Sequence, residues 1–301
     1  MAVTYDNVSP DTGSGSGATQ LTTGSWTVAA SPDICVIGII ATGDVSGSAH
    51  DGMDHPTAGG ALTQIGTDLS VGSHATVSAW RRVAPTSGSN TSHGSWTSSQ
   101  GENCIGLVSY TGVDQTTPVG TPVTATGNIS GGTGTATVNV TTVSGDMVFA
   151  AAWVHNVSGA TNPTMTPAGG STGRYEMEGA TIGGFAAMQC IELVASGTTT
   201  AMSVDIASAE NGTNTWGIIA FVINAASSAT SDQEGARFGI DDGAEAAHSW
   251  EAAQDTNITV AAGETRLVNI IVNATGTLGA KAFKLQYRKV GDPDWRDMPV
   301  Q

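Results

Sequence analysis

Charge is scarce in this chain. Only 12% of its 301 residues are Asp, Glu, Lys or Arg, about half the usual share. Cations are scarcer still: 10 basic residues face 26 acids, for a formal charge of −16. A surface so poor in Lys and Arg cannot displace counterions along a phosphate backbone, which excludes nucleic acid as a partner. Aromatic residues make up 5%. Long apolar runs are missing too. The longest, such as Met147–Val154 and Trp216–Ile223, hold eight residues, whereas a spanning helix needs roughly 20, so no membrane partner is expected. Cysteine is limited to Cys35, Cys104 and Cys190. An odd number without CxxC spacing excludes a disulfide scaffold. All three lie in strand-like apolar segments, where a buried free thiol is the expected state. The opening MAVTYDNVSP lacks a basic start followed by an apolar stretch, so no secretory signal is expected.

What is present points to a folded β protein. Forty glycines and 39% hydrophobic residues are too apolar a mixture for an acidic disordered tail. No stretch of helical period is long enough for a coiled coil. Residues 1–225 read as ten to twelve strands separated by Gly/Ser/Thr/Asn turns. Ile34–Thr42, Cys104–Thr111 and Gly184–Ala195 are apolar strands. Thr135–Val143 alternates, with Ala136, Val138 and Val140 opposite a Thr/Asn face. Ser144-Gly145-Asp146 predicts a hairpin into Met147–Val154, and Asn211-Gly212 predicts another between Met202–Ala207 and Thr215–Asn224. GSGSG, at 13–17, reads as a loop; no Lys follows it, so it is no phosphate cradle. The expected fold is all-β, a jelly-roll-like sandwich over 1–225.

The chain changes character at AASSATSDQEG. Residues 226–234 read as a linker, and 235–301 as a small β-sandwich-like module near the lower size limit for independent folding. Charge marks the same break. Residues before 226 carry −12 with three cations, Arg81, Arg82 and Arg174; the rest carry −4 and include every lysine.

The skin is that of an extracellular protein, yet no export signal is read. A chain made in a reducing cytoplasm and released by lysis within a virus particle reconciles the two. A resemblance points the same way. Val77-Ser78-Ala79-Trp80, Val83-Ala84-Pro85-Thr86, Ala61–Gly66 and Val108-Ser109-Tyr110-Thr111-Gly112-Val113-Asp114-Gln115-Thr116-Thr117-Pro118 resemble a family of β-sandwich proteins. That family occurs in tailed-bacteriophage structural genes and some bacterial surface proteins. Asp241-Asp242-Gly243, Ala253–Thr259 and Phe283–Arg288 are similar to small modules of phage virion proteins. The resemblance implies a virion structural protein, of the capsid decoration or head-spike type, located in the particle. Its partners would be a symmetric homo-oligomer of itself and other virion proteins such as the major capsid protein. A receptor-binding or carbohydrate-binding adhesin that meets a host surface glycan is the alternative. The resemblance carries over no catalytic residue and implies no cofactor.

Side chains able to do chemistry are few. His50, Asp51, Asp54 and His55 form the densest polar cluster and could ligate a divalent metal if their loop curls; an exposed loop or subunit contact is the alternative. Glu176 and Glu178 would lie about 7 Å apart on one strand face. A glycosidase pair needs such a spacing across a cleft, and neighbours on one strand flank nothing, so a solvated face paired with Arg174 is expected. Arg81 and Arg82 point to opposite faces; one is expected to meet a carboxylate, the other a ligand or subunit. Trp96, in His93-Gly94-Ser95-Trp96-Thr97-Ser98, is the aromatic expected to be exposed for a sugar or an interface. Lys281, Lys284, Arg288, Lys289 and Arg296 concentrate half of all cations near the C-terminus and form a candidate contact surface for an acidic partner.

Overall fold

The computed structural model describes residues 2–14, 17–43, 48–55, 60–73, 75–156, 163–178, 186–207, 213–226, 230–240, 253–254, 256, 258, 266–275, 286–287 and 296–297. They fall into two compact units, Met1–Ala226 and Ser227–Gln301. All regular structure among the described residues is β, as the composition and alternation require.

The first half of the larger unit contains β1 (Thr4–Val8), β2 (Thr12–Ser14), β3 (Ala18–Thr22), β4 (Trp26–Val28), β5 (Cys35–Gly43) and β6 (His50–Asp54). It continues with β7 (Thr63–Val71), β8 (Ala75–Val83), β9 (Gly88–Asn90), β10 (His93–Gln100) and β11 (Glu102–Thr111). The second half contains β12 (Val123–Ser130), β13 (Thr133–Thr141), β14 (Met147–Asn156), β15 (Thr164–Ala168), β16 (Thr172–Glu178), β17 (Ala186–Val194), β18 (Thr199–Ala207) and β19 (Thr213–Ile223).

Each half is a sandwich of its own. The first pairs a large sheet, β1-β11-β5-β8-β7, with a small one, β3-β10-β6; β2 also pairs with β11, and β4 with β9. The second pairs β12-β19-β14-β17-β16 with β13-β18-β15. Set aside β2, β4 and β9, and the two orders are the same. In each, the first, eighth, third, sixth and fifth strands form the large sheet, and the second, seventh and fourth the small one. This is a jelly-roll-like winding with the fifth strand on the large sheet. The β-sandwich expected from the sequence is therefore present twice, where the sequence reading drew one sandwich.

The large sheets pack face to face, giving four layers. On β5, Cys35, Ile37, Ile39 and Ala41 enter the central layer together with Phe149, Ala151 and Trp153 of β14. The alternate residues Val36 and Ile40 pack under the small sheet of the first sandwich with Trp96, Leu107 and Trp80. Val148, Ala150, Ala152 and Val154 do the same in the second, against Val138, Met202 and Val204. Burial on both faces is why β5 and β14, and much of β11, β17 and β19, read as apolar runs rather than alternating ones. The outer strand β13 is covered on one face only; Ala136, Val138 and Val140 are buried while Thr135, Thr137 and Asn139 are exposed, as its alternation requires. β5 and β14 run in the same direction across the interface. Tyr110, paired with Cys35 at the start of β5, meets Phe149, while a Cβ on Gly43 at its end would approach His155 and Trp153.

Two turn expectations are overturned. β13 and β14 flank Ser144-Gly145-Asp146 but lie in different sheets, and so do β18 and β19. The strands on either side thus belong to different layers and are not hairpin partners, because each following strand has an apolar pattern that only the central layer buries; Asn211-Gly212 itself lies outside the described residues. Gly13 and Ser14, expected in a loop, pair with Cys104 and Asn103.

In the smaller unit β20 (Thr230–Ile240) pairs antiparallel with β21 (Arg266–Thr275), and β22 (Gln286–Tyr287) with β23 (Arg296–Asp297). Lys281, Lys284, Arg288 and Lys289 lie outside the described residues, and Arg296 is described as backbone in β23, paired with Tyr287.

Candidate functional site

The sequence-predicted cluster at 50–55 is dispersed by its strand. His50 and His55 are buried, Asp51 is exposed and Asp54 half-buried. His50 Nδ1 lies 2.5 Å from Ser78 Oγ and Nε2 3.1 Å from Thr42 Oγ1. His55 Nδ1 lies 2.8 Å from Ser92 Oγ, and its ring tilts against Trp26 at 4.9 Å between centroids. Among the described residues no group of three His, Cys, Asp or Glu side chains is placed to hold a metal. The expected loop tip is instead interior wall, because β6 is paired along β10.

Ser78, His50 and Asp68 superficially suggest a nucleophile, base and acid. The connectivity differs from that chemistry. Asp68 Oδ1 is 4.0 Å from Nδ1, the same nitrogen that Ser78 occupies, while Nε2 faces Thr42. Asp68 Oδ2 instead accepts from the His50 backbone N–H at 3.0 Å. Ser78 is fully buried, so the set is structural.

Trp96, expected at the surface, is 2% exposed. Its Nε1 donates to the Ala18 carbonyl at 2.8 Å, and its ring joins the core of the first sandwich. Composition of the neighbouring residues suggested exposure, but alternation along β10 turns the ring inward. Arg81 and Arg82 are both half-buried. Arg82 Nη1 reaches the Ala61 carbonyl at 3.5 Å, and among the described residues neither arginine forms an ion pair. The carboxylate expected for one of them is absent there. Glu176 is exposed, and the Glu178 side chain lies outside those described. Arg174 pairs with Glu192 on the neighbouring strand. All three cysteines are free and buried, as expected. Burial pushes the Cys35 thiol up to about 12, and it raises those of Cys104 and Cys190 as well.

Polar groups converge where the two sandwiches meet. At one end of β11, Tyr110 Oη donates to Glu192 Oε2 at 2.8 Å. Glu192 Oε1 takes the Arg174 guanidinium, whose carbon stands 3.9 Å above the centre of the Tyr5 ring. Burial, then Glu192, raises the Tyr110 phenol well above its ordinary value. The Glu192 hydrogen bond raises Arg174. Both partners arrive on β-bulges, which re-aim side chains. Arg174 is the extra residue between Gly173 and Tyr175, and Asp6, beside Tyr5, is the extra residue of β1. Asp6 is held by Ser109 Oγ at 2.7 Å and the Ala29 N–H at 3.1 Å.

Tyr175 clamps the same junction. Its Oη donates to the Ile105 carbonyl at 2.6 Å and accepts from the Thr12 N–H at 3.0 Å. Its ring lies on Gly106, where a Cβ would come within 2.7 Å. At the other end of β11, His155 Nε2 meets Glu102 Oε2 at 3.0 Å, both buried. Beside Arg174 a groove of about 260 Å³ opens between Ser9 and Asp11 of the first sandwich and Gly173, Glu176 and Gln189 of the second. Apart from Arg174 and Glu176, sequence reasoning missed this constellation. The available signal was a Glu and a Gln inside the apolar run of β17, where an unpaired polar group is costly.

No protein-family model, curated protein or solved structure matches the chain.

Proposed function

We propose that this chain is a non-catalytic structural component of a bacteriophage-type particle, a capsid decoration or head-spike subunit that covers or joins capsid subunits. The observation that carries this reading is the four-layer body with its weakly charged outer sheet. On that face of β13 stand Thr133, Thr135, Thr137, Asn139 and Thr141. Thr135 Oγ1 donates to Asp205 Oδ1 at 2.7 Å, and Thr137 and Ser203 hydroxyls meet at 2.9 Å. Short side chains held to one another have little entropy left to lose on contact, and a low charge density lowers the desolvation cost of packing a neighbour against them. The interior fits the same role. His50, His55 and the three thiols are buried, and Tyr110, Tyr175, Glu192 and His155 tie one sandwich to the other. Rigidity serves a tile.

The test is fractionation. Particles banded by density from cells carrying the gene are expected to contain the chain at a fixed ratio to the major capsid protein. Thr135→Lys with Thr137→Lys is expected to lower that ratio while leaving the melting temperature of the purified chain unchanged. Recovery of the wild-type chain only in the soluble fraction refutes the proposal.

A further inference from the structure

We propose that this chain pairs with a second copy of itself along the open edges of β13 and β12. The inference stands apart from the particle assignment, since it rests on strand edges alone.

A strand at the rim of a sheet leaves a row of backbone N–H and C=O groups unpaired. Folded proteins blunt such rims with charge, bulges, proline or short length. The larger unit does so at rim after rim. In β1, β6, β7 and β16 the pairing register shifts, and the residues looped out include a charged one: Asp6, Asp51, Asp68 and Arg174. β15 has five residues and contains Pro167. β2, β4 and β9 have three residues each. β3 has five, and its ladder with β10 is interrupted.

β12 and β13 carry none of these devices. They have eight and nine residues without charge or proline, and ladders without a register shift. Among the described residues β12 pairs along its length with β19 alone and β13 with β18 alone. The two open rims also share one corner of the second sandwich, joined by a turn at Gly131 and Gly132. At the end away from that turn, a groove of about 270 Å³ opens between them, walled by Val123, Val140 and Val222. Val123 and Val222 are half-buried there.

The strand itself selects the occupant. A twofold axis through Thr137, the middle residue of β13, sets the strand antiparallel to its own copy. On the outer side Thr133 then faces Thr141, Thr135 faces Asn139, and Thr137 faces itself. On the inner side Ala136 faces Val138 and Gly134 faces Val140, small against branched. Both apolar faces fall on one side, as register in a half-buried sheet requires, and threonine pairs across strands are favourable. β12 accepts the same axis. Ile129 lies against Gly134 and Val123 shares the groove with Val140, so Thr126, midway along β12, stands level with Thr137. Around it Val123 faces Ile129 of the copy. Charge points the same way: two chains of −16 repel each other, and uncharged strands are where they approach at least cost.

The experiment is sedimentation equilibrium of the full chain over a range of concentrations. Two strand rims make less than a standard interface of about 1,600 Å², so a dimer with a Kd of roughly 10–100 μM is expected. Thr137→Cys, oxidised with copper–phenanthroline, is expected to give a disulfide-linked dimer. Thr133→Cys is expected to give none, because the axis holds the two copies of that residue roughly 27 Å apart. Both positions are exposed, so neither variant threatens the fold, and the native thiols are buried. Thr126→Glu, also at an exposed position, sets two carboxylates opposite each other and is expected to weaken the dimer at least tenfold. A monomer at every concentration up to about 1 mM overturns the proposal. So does absence of a cross-link at residue 137, cross-linking at 133 as readily as at 137, or a dimer indifferent to Thr126→Glu.

Discussion

Ser78 Oγ, 2.5 Å from His50 Nδ1, also accepts the Trp80 indole N–H at 2.7 Å. Thr42 Oγ1 faces Nε2, so each ring nitrogen of His50 has a hydroxyl partner whichever of the two carries the proton. The arrangement is repeated. Trp26 donates to Ser92 Oγ at 3.1 Å, and Ser92 meets His55 Nδ1 at 2.8 Å. Each Trp–Ser–His chain holds a neutral imidazole inside the first sandwich.

Acid should therefore loosen this protein. Burial pushes His50 down to about 3; burial and then the Arg82 charge push His55 down to about 4. In the unfolded chain both take a proton near pH 6.5. Below that pH the unfolded state binds protons the folded state refuses, so stability is complete above about pH 6.5 and falls as pH drops toward 4. The slope is at most about 1.4 kcal/mol per pH unit for each histidine. Urea unfolding midpoints measured from pH 7.5 to 5 are expected to fall, and His55→Gln to flatten part of the decline. Equal slopes in parent and variant would count against this assignment.

The tie between Arg174 and Glu192 is expected to matter most when half of it is removed. Glu192 is 5% exposed and also accepts from Tyr110. Arg174→Ala leaves that carboxylate buried without its cation, at a cost of about 3 kcal/mol. Replacing both, as Arg174→Met with Glu192→Gln, is expected to cost less than Arg174→Ala alone. Denaturant unfolding of the single and double variants reads the difference.

Trp96→Ala is a core deletion, not the loss of a surface anchor. It is expected to cost about 3–5 kcal/mol and to lower the melting temperature. A variant as stable as the parent would return Trp96 to the surface.

Tyr175→Phe is expected to cost about 1–3 kcal/mol, because it leaves the Thr12 N–H without its acceptor. Gly106→Val is expected to be worse, since its side chain would overlap the Tyr175 ring and force apart the layers that the ring joins. Thermal melts of the two variants, ranked against the parent, check the order.

Residue patterning alone determined much of this molecule. Alternation along β13 fixed its buried face, and continuous apolar runs announced strands covered on both sides. Apolar context placed three thiols in cores. Pairing was beyond the pattern's reach. A period of two tells which side chains share a face, not which sheet receives the strand. Ser144-Gly145-Asp146 suits a hairpin and a layer crossing equally well. Only the tertiary structure showed two sandwiches in place of one, turned Trp96 inward and drew His50 away from Asp51. It also brought Arg174 to Tyr5 and Gln189 to the edge of a groove, from strands far apart in sequence. Those meetings depend on which apolar faces cover one another, a choice made by the whole set of layers and by no local segment.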